Sequence, residues 1–420
     1  MTILAPYTYL QKHRYKERLI PESPDPSLAL VIVIPVYKEP ELLATLYSLS
    51  ENHFDEWRKV EVILVVNHAI DAPETVQQQN QQTYKAVKEW IHTVADTLTI
   101  HPLLIQDLPK KQAGVGLARK IGMDEAVDRL EQVDNPQGLI ICLDADTIVQ
   151  PNYLQVLLDT YRTLPKKEAF TIHFEHPLEG KKFSSGIYEG IIFYELFLRY
   201  FIEGLRVAGY PYAFHTVGSA MAVRSHAYQK MGGMNRRQAG EDFYFLHKFT
   251  QRGKVHEIHD TAVIPSPRAS DRVPFGTGKA IQAWLDTPGQ AYMGYHPELF
   301  FSLKEFLASF PSSYGSLVWN VPLCFRDFLE EEKLTEKGKE AKSHVASQAA
   351  YVKRLYQWLS PLKVLQIIRA GQATYPDIEL IEAVNRLFSY TGSTPEVSPP
   401  TSAKEWLGWL RKRQKRESYP

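Results

Sequence analysis

The first half of the chain alternates between two hydrophobic patterns. Leu28-Ala29-Leu30-Val31-Ile32-Val33-Ile34-Pro35 is a continuous apolar run, the mark of a strand buried on both faces. Lys38-Glu39-Pro40 follows. Pro40 suits a first helical turn, and Leu42, Leu43, Leu46 and Leu49 then recur at helical spacing. The pattern repeats, with strands expected at 60–66, 99–106 and 139–143 and helices at 83–98, 116–131 and 151–161. Such alternation predicts an α/β domain with a mostly parallel sheet and helices on both faces. Ligands of such sheets bind beyond the carboxyl ends of the strands, and Glu39, Asn67 and Asp144 fall at those ends.

Beyond residue 168 the alternation weakens. Strands are expected at 169–175 and 219–224, and helices at 186–208, which is rich in aromatics, and 241–251. From about residue 285 the chain reads as largely helical. A Ser/Thr/Pro linker covers 392–401, and Ser402 with Glu405 forms a capping box for a last helix. Residues 1–27 end in Pro21-Glu22-Ser23-Pro24-Asp25-Pro26 and read as an arm. The expected division is an N-terminal arm (1–27), an α/β domain (28–284), a helical C-terminal region (285–391), and a linker with a basic amphipathic helix (392–420).

Composition narrows the function classes. The 420 residues are 44% hydrophobic, enough for a sizeable core. Lys+Arg and Asp+Glu both number 48, so no global field favours nucleic acid, and no nucleic-acid partner is expected. Two cysteines, Cys142 and Cys324, make neither a metal cluster nor a disulfide framework and fit a reducing cytosol. The most apolar long stretch, 186–205, is broken by Glu189, Glu195, Arg199 and Glu203, so a soluble, cytoplasmic protein is expected. Trp406, Leu407, Trp409 and Leu410 precede Arg411, Lys412, Arg413, Lys415 and Arg416. That helix either packs its tryptophans on the protein or rests peripherally on the inner face of an anionic membrane. Homo-oligomerisation stays open.

The sharpest chemical signal is Asp144-Ala145-Asp146 at the end of a buried strand. Two carboxylates there repel each other unless a cation intervenes, and Mg²⁺ or Mn²⁺ takes such oxygen ligands together with substrate phosphates. The bland alternative is a loop of helix-capping aspartates. Glu241-Asp242 opens a helix after Gly240, so either carboxylate is a helix cap or a general base. Gly114-Val115-Gly116 with Lys110, Lys111 and Arg119 could meet phosphates, but it lacks the dinucleotide fingerprint's third glycine. The loop from Arg268 through Arg272 to Gly278 has the flexible glycines of a segment that closes over a diphosphate. His256 and His259 are either plain histidines or candidates to complete a metal site.

In this order the motifs resemble the family 2 glycosyltransferases, an inverting group with the GT-A fold. Val33-Ile34-Pro35-Val36-Tyr37-Lys38-Glu39 looks like that family's opening strand and turn. The segment from Gly114 to Gly122 with Ala118-Arg119, then Leu143-Asp144-Ala145-Asp146, Gly218-Ser219-Ala220-Met221, and Gly240-Glu241-Asp242 are similar to its later motifs. The resemblance covers about residues 28–280. It implies a nucleoside-diphosphate sugar as donor, with UDP and GDP both open. Pro35, Tyr37 and Glu39 would line the base and ribose pocket. Asp144 and Asp146 would face the ribose and a metal-bound diphosphate, and Arg272 would meet the diphosphate. Asp242, beside Glu241, would deprotonate the acceptor hydroxyl.

Two departures matter. The second strand ends in Val65-Val66-Asn67-His68 where the family usually has acidic residues, so Asn67 would contact the base. The Gln-x-x-Arg-Trp motif of processive synthases is absent. The acceptor stays open among saccharides, lipid-linked groups and small molecules, with the aromatics from Tyr188 to Phe214 as candidate lining or as core. Two alternatives remain at this point. One is a non-catalytic nucleotide-sugar-binding module on the same fold. The other is a retaining transferase in which His259 or His256 ligates the metal.

Overall fold

The computed structural model describes residues 8–94, 97–237, 240–270, 276–392 and 400–416. Along the chain, the first elements are α1 (Thr8–His13), β1 (Leu30–Val36), α2 (Leu42–Ser50), β2 (Val60–Ala69), α3 (Glu74–Ile91), β3 (Thr99–Leu108) and α4 (Val115–Gln132). Then come β4 (Leu139–Cys142), β5 (Thr147–Val149), α5 (Tyr153–Thr163), β6 (Ala169–Phe174), α6 (Ser185–Val207), β7 (Met221–Arg224), α7 (Ser225–Lys230), α8 (Glu241–Thr250), β8 (Val255–Pro265) and α9 (Thr277–Asp286). The remainder is β9 (Met293–Gly294), α10 (Glu298–Ala308), α11 (Phe310–Ser316), α12 (Arg326–Glu331), α13 (Leu334–Ser343), α14 (Gln348–Trp358), α15 (Pro361–Gly371), β10 (Ile378–Glu379), α16 (Leu380–Thr391) and α17 (Ala403–Arg416).

Contacts divide the chain into two units. The first holds the chain up to Pro177, Thr216–Lys279 and the end from Lys415. It is built on an eight-stranded sheet in the order β3-β2-β1-β4-β7-β6-β8-β5. β1 lies between β2 and β4 and is parallel to both, with Leu30 level with Val60 and Leu139. β7 runs antiparallel to β4 and β6, β8 runs parallel to β6, and β5 runs antiparallel to β8. Only β7 and β5 oppose the common direction, so the sheet is mostly parallel, as the alternating pattern predicts. β1 is buried along its whole length, and each such Val, Leu or Ile contributes about 1.5–3 kcal/mol relative to exposure.

Close approach fixes α4 on this sheet. A Cβ at Gly122 would stand 2.4 Å from Val33 Cγ1 and 3.0 Å from Val65 Cγ2, so the glycine lets the helix backbone settle on β1 and β2. From Tyr9 to Arg18, the segment expected from sequence as part of an arm is bound to this helix. Tyr9 donates to Asp124 at 2.9 Å, Arg18 Nε donates to Asp128 at 2.7 Å, and Arg14 pairs with Glu125. Charge pairing carries this docking, which hydrophobic periodicity does not register.

The second unit holds Leu178–His215 and Ala280–Gln414. Among the described residues it is helical apart from the short antiparallel pair β9–β10 and the connecting loops. Its core includes Tyr200, Phe300, Ile367, Leu387 and Trp406. The sequence boundary at 284 puts the aromatic helix with the α/β domain, whereas the contacts place α6 among the C-terminal helices. The capping box forms as expected. Ser402 N–H donates to Glu405 Oε2 at 3.2 Å, and Glu405 N–H donates to Ser402 Oγ at 3.3 Å. Trp406, Leu407 and Leu410 are fully buried and Arg411 grips Glu195, so this helix packs its apolar face inward. Among the described residues no helix is long and apolar enough to cross a membrane.

Candidate active site

The site lies in the first unit, beyond the carboxyl ends of β1 and β4. Pro35 is buried within β1, level with Val65 of β2. Just past the strand, Tyr37 is exposed and Lys38 takes a left-handed backbone (φ 49) that turns the chain sharply. The turn delivers Glu39 into a buried position. Its carboxylate receives the Arg268 guanidinium through both terminal nitrogens, one of them at 3.0 Å, and also accepts from Glu41 N–H at 3.0 Å.

β4 is a short buried run that opens directly into Asp144 and Asp146. Thr147 N–H donates to Asp144 O at 3.2 Å, and the Thr45 hydroxyl donates to Ala145 O at 2.9 Å, so one backbone and one side-chain bond hold the turn. Both carboxylates meet arginines. Arg119, buried on α4, pairs with Asp144 through one nitrogen and with Glu241 through the other. Arg268, just past β8, donates to Asp146 Oδ2 at 2.9 Å. Two arginines thus bridge four carboxylates from β1, β4 and α8.

Glycines make room for this network. A Cβ at Gly218 would stand 2.5 Å from Arg119 Nη1. One at Gly116 would stand 2.2 Å from Arg237 O and 3.1 Å from Glu241 Cβ. Gly240, at φ 69, turns the chain into α8. Glu241 is buried on Arg119, whereas Asp242, the next residue, keeps partial exposure and accepts from Phe243 N–H at 2.7 Å. Burial raises both carboxyls above their ordinary range, against the opposing pull of Arg119.

Several expected residues lie elsewhere or are otherwise engaged. Asn67 is buried, and its amide donates to Val36 O at 3.0 Å and Val65 O at 3.1 Å, tying the ends of β1 and β2 together. His259 is not brought to the aspartates. Thr147, next to Asp146, pairs with Pro265, whereas His259 is six positions upstream on β8 with its ring 6.1 Å from that of His173. The regular part of the strand alone separates the two by more than about 10 Å. Lys110 pairs with Asp71 at 3.0 Å. Arg272 lies outside the described residues. Among the described residues, no group of three or more His, Cys, Asp or Glu side chains is arranged to hold a metal ion. In the sequence, Arg268 stands only at the start of a polar loop. Its position just beyond a long strand would have marked it, had β8 been recognised.

Residues 31–232 match the model of glycosyl transferase family 2, and residues 139–327 match that of glycosyl transferase family group 2. Among solved structures, the chain is similar to S. aureus TarS 1–349, with 12% identity and a TM-score of 0.39 over 88% of this chain and 93% of that one. It is also similar to that protein in complex with UDP-GlcNAc, at 13% and 0.40 over 83% and 91%. A third is the mannosyltransferase PcManGT from Pyrobaculum calidifontis in complex with GDP-Man and Mn²⁺, at 13% and 0.38 over 97% and 93%. A search of curated proteins gives no match. The two family segments overlap and together run from residue 31 to residue 327, carrying β1, the Asp144–Asp146 turn and α8, and the chain carries a glycosyl transferase family 2 domain.

Proposed function

We propose that the protein transfers a sugar from a nucleoside-diphosphate sugar to an acceptor hydroxyl, with inversion at the anomeric carbon and with help from a divalent cation. The observation that carries this reading is the pair of arginines bridging Glu39, Asp144, Asp146 and Glu241 at the strand ends. A donor lying across those ends would place its base and ribose near Pro35, Tyr37 and Glu39. Its diphosphate would fall between Asp146 and Arg268.

The carboxylates fit Mg²⁺ or Mn²⁺. Asp144 and Asp146 offer hard oxygen donors at a partly exposed turn, and a cationic group already sits against Asp146. One or two carboxylates suffice for such an ion when substrate phosphates supply further oxygens. Asp146 would be the main ligand, with Asp144 beside it. When bound, the ion supplies positive charge for the departing diphosphate.

The chain's own groups do the rest. Asp242 takes the proton of the acceptor hydroxyl as that oxygen bonds to the anomeric carbon. The bond from that carbon to the diphosphate oxygen breaks, and the nucleoside diphosphate leaves with the electron pair. Arg268 shifts from Asp146 towards the leaving phosphates. Arg119 holds Asp144 and Glu241 in place and so positions α8, which carries Asp242. The test is release of nucleoside diphosphate from UDP-glucose, UDP-N-acetylglucosamine and GDP-mannose, with and without Mn²⁺. Cation-dependent release from one donor that disappears in Asp146→Ala is the expected result. Equal release by wild type and variant would overturn the reading.

A further inference from the structure

The second unit contains a groove of about 510 Å³ lined by α6, α9, β9 and the α15–β10 segment. Its size falls within the roughly 300–1,000 Å³ of small-molecule sites. One wall is aromatic. Phe197, Trp284, Tyr292 and Tyr295 line it, and Phe193 stacks behind Tyr292 with ring centroids 5.8 Å apart and planes 6° from parallel. Arg369, Asp377, Gln290 and Gln372 are its charged and amide groups.

Local structure pre-forms this wall. A Cβ at Gly190 would come within 2.6 Å of Trp284 Cδ1, so the glycine on α6 is what lets the indole lie against that helix. Tyr200 Oη donates to Tyr295 O at 2.6 Å, and Leu380 N–H donates to Tyr292 O at 2.8 Å. The β9–β10 pairing fixes Met293 against Glu379, two positions after Asp377. Gln372 Nε2 donates to Asp377 Oδ1 at 2.8 Å, which orients that carboxylate.

We propose that this groove binds a saccharide, and this binding does not depend on the transferase reading. Flat aromatic faces match the C–H faces of a pyranose ring. An oriented carboxylate, an amide and a guanidinium match its hydroxyls, and a few placed polar groups in an apolar pocket are what fix orientation. A planar base could also stack on Trp284. The carboxylate–amide pair, with acceptor oxygens aimed at several donors, favours a polyol.

The test is saturation-transfer NMR on the full chain with cello-, malto-, manno- and chito-tetraose, and with adenosine as the competing class. The variants are Trp284→Ala and Asp377→Asn, the latter nearly isosteric, with melting curves to show that both fold. Binding of at least one tetrasaccharide, abolished in Trp284→Ala and weakened five-fold or more in Asp377→Asn, is expected. UDP or GDP binding should be unchanged in both variants. No tetrasaccharide binding, binding indifferent to both substitutions, or binding of adenosine alone would each overturn the proposal. Loss of nucleotide binding in wild type would instead count against the transferase reading, because the saccharide signal does not depend on it.

Discussion

Arg268 and Asp146, 122 positions apart in sequence, meet at 2.9 Å, and the same guanidinium grips Glu39. A cation therefore already sits where the proposed reaction develops negative charge. Replacing Arg268 with Ala should lower kcat by about 10²–10³, the usual cost of losing one electrostatic contact to a leaving group. Steady-state kinetics with donor hydrolysis as readout checks this. An unchanged kcat would remove Arg268 from the account.

Asp242 is the proposed base. Asp242→Asn should reduce turnover by about 10²–10⁴ while leaving nucleotide affinity intact. Burial raises the Asp242 carboxyl, so the group holds its proton to higher pH than an ordinary aspartate, whose pKa is about 3.9. Only the deprotonated form can accept the hydroxyl proton, so the rate falls as pH drops through the raised value. A kcat/KM profile should place its acid limb above the ordinary aspartate range.

Arg119→Met would leave Asp144 and Glu241 without their shared counter-charge. Removing one partner of a buried pair costs roughly 3–5 kcal/mol, so melting temperature should drop clearly at neutral pH. The deficit should depend on pH. Burial already raises Glu241, and losing Arg119 removes what opposes that rise. A carboxyl with a raised folded pKa contributes stability in full below its unfolded value and loses it as pH rises through the folded one. The gap between variant and wild type should therefore narrow from neutral towards mildly acid pH, as melting curves across that range would show.

His259→Ala should keep both turnover and cation dependence, because β8 carries His259 away from Asp146. A large loss of cation response would revive the retaining alternative. Trp406→Ala, by contrast, should destabilise by about 3–5 kcal/mol, since the indole is fully buried in the helical unit and donates to Asn385 at 3.1 Å. Denaturant titration reads that directly.

What the sequence revealed depended on how each residue is used. β1, β2 and β4 are buried on both faces, so their apolar runs are continuous and easily seen. The Asp144–Asp146 turn follows at once from the end of β4. β5 is three residues long, and β8 alternates polar and apolar around an irregularity between Ile172 and His173 of its partner, so neither stands out. α3 begins at Glu74, nine residues before the expected start, because its Gln-rich first turns carry little apolar periodicity. Arg119 looks like a phosphate ligand beside glycines but is buried between two acids, a pairing across 122 positions that spacing does not encode.

The most direct measurement is a thermal-shift panel of UDP, GDP, CDP and ADP, each with and without Mn²⁺, on wild type and Asp146→Ala. A ligand that binds only the folded state raises the melting temperature by mass action. The account predicts a Mn²⁺-dependent shift with one nucleotide that the variant loses. No shift with any nucleotide, or a shift of equal size in the variant, would contradict it.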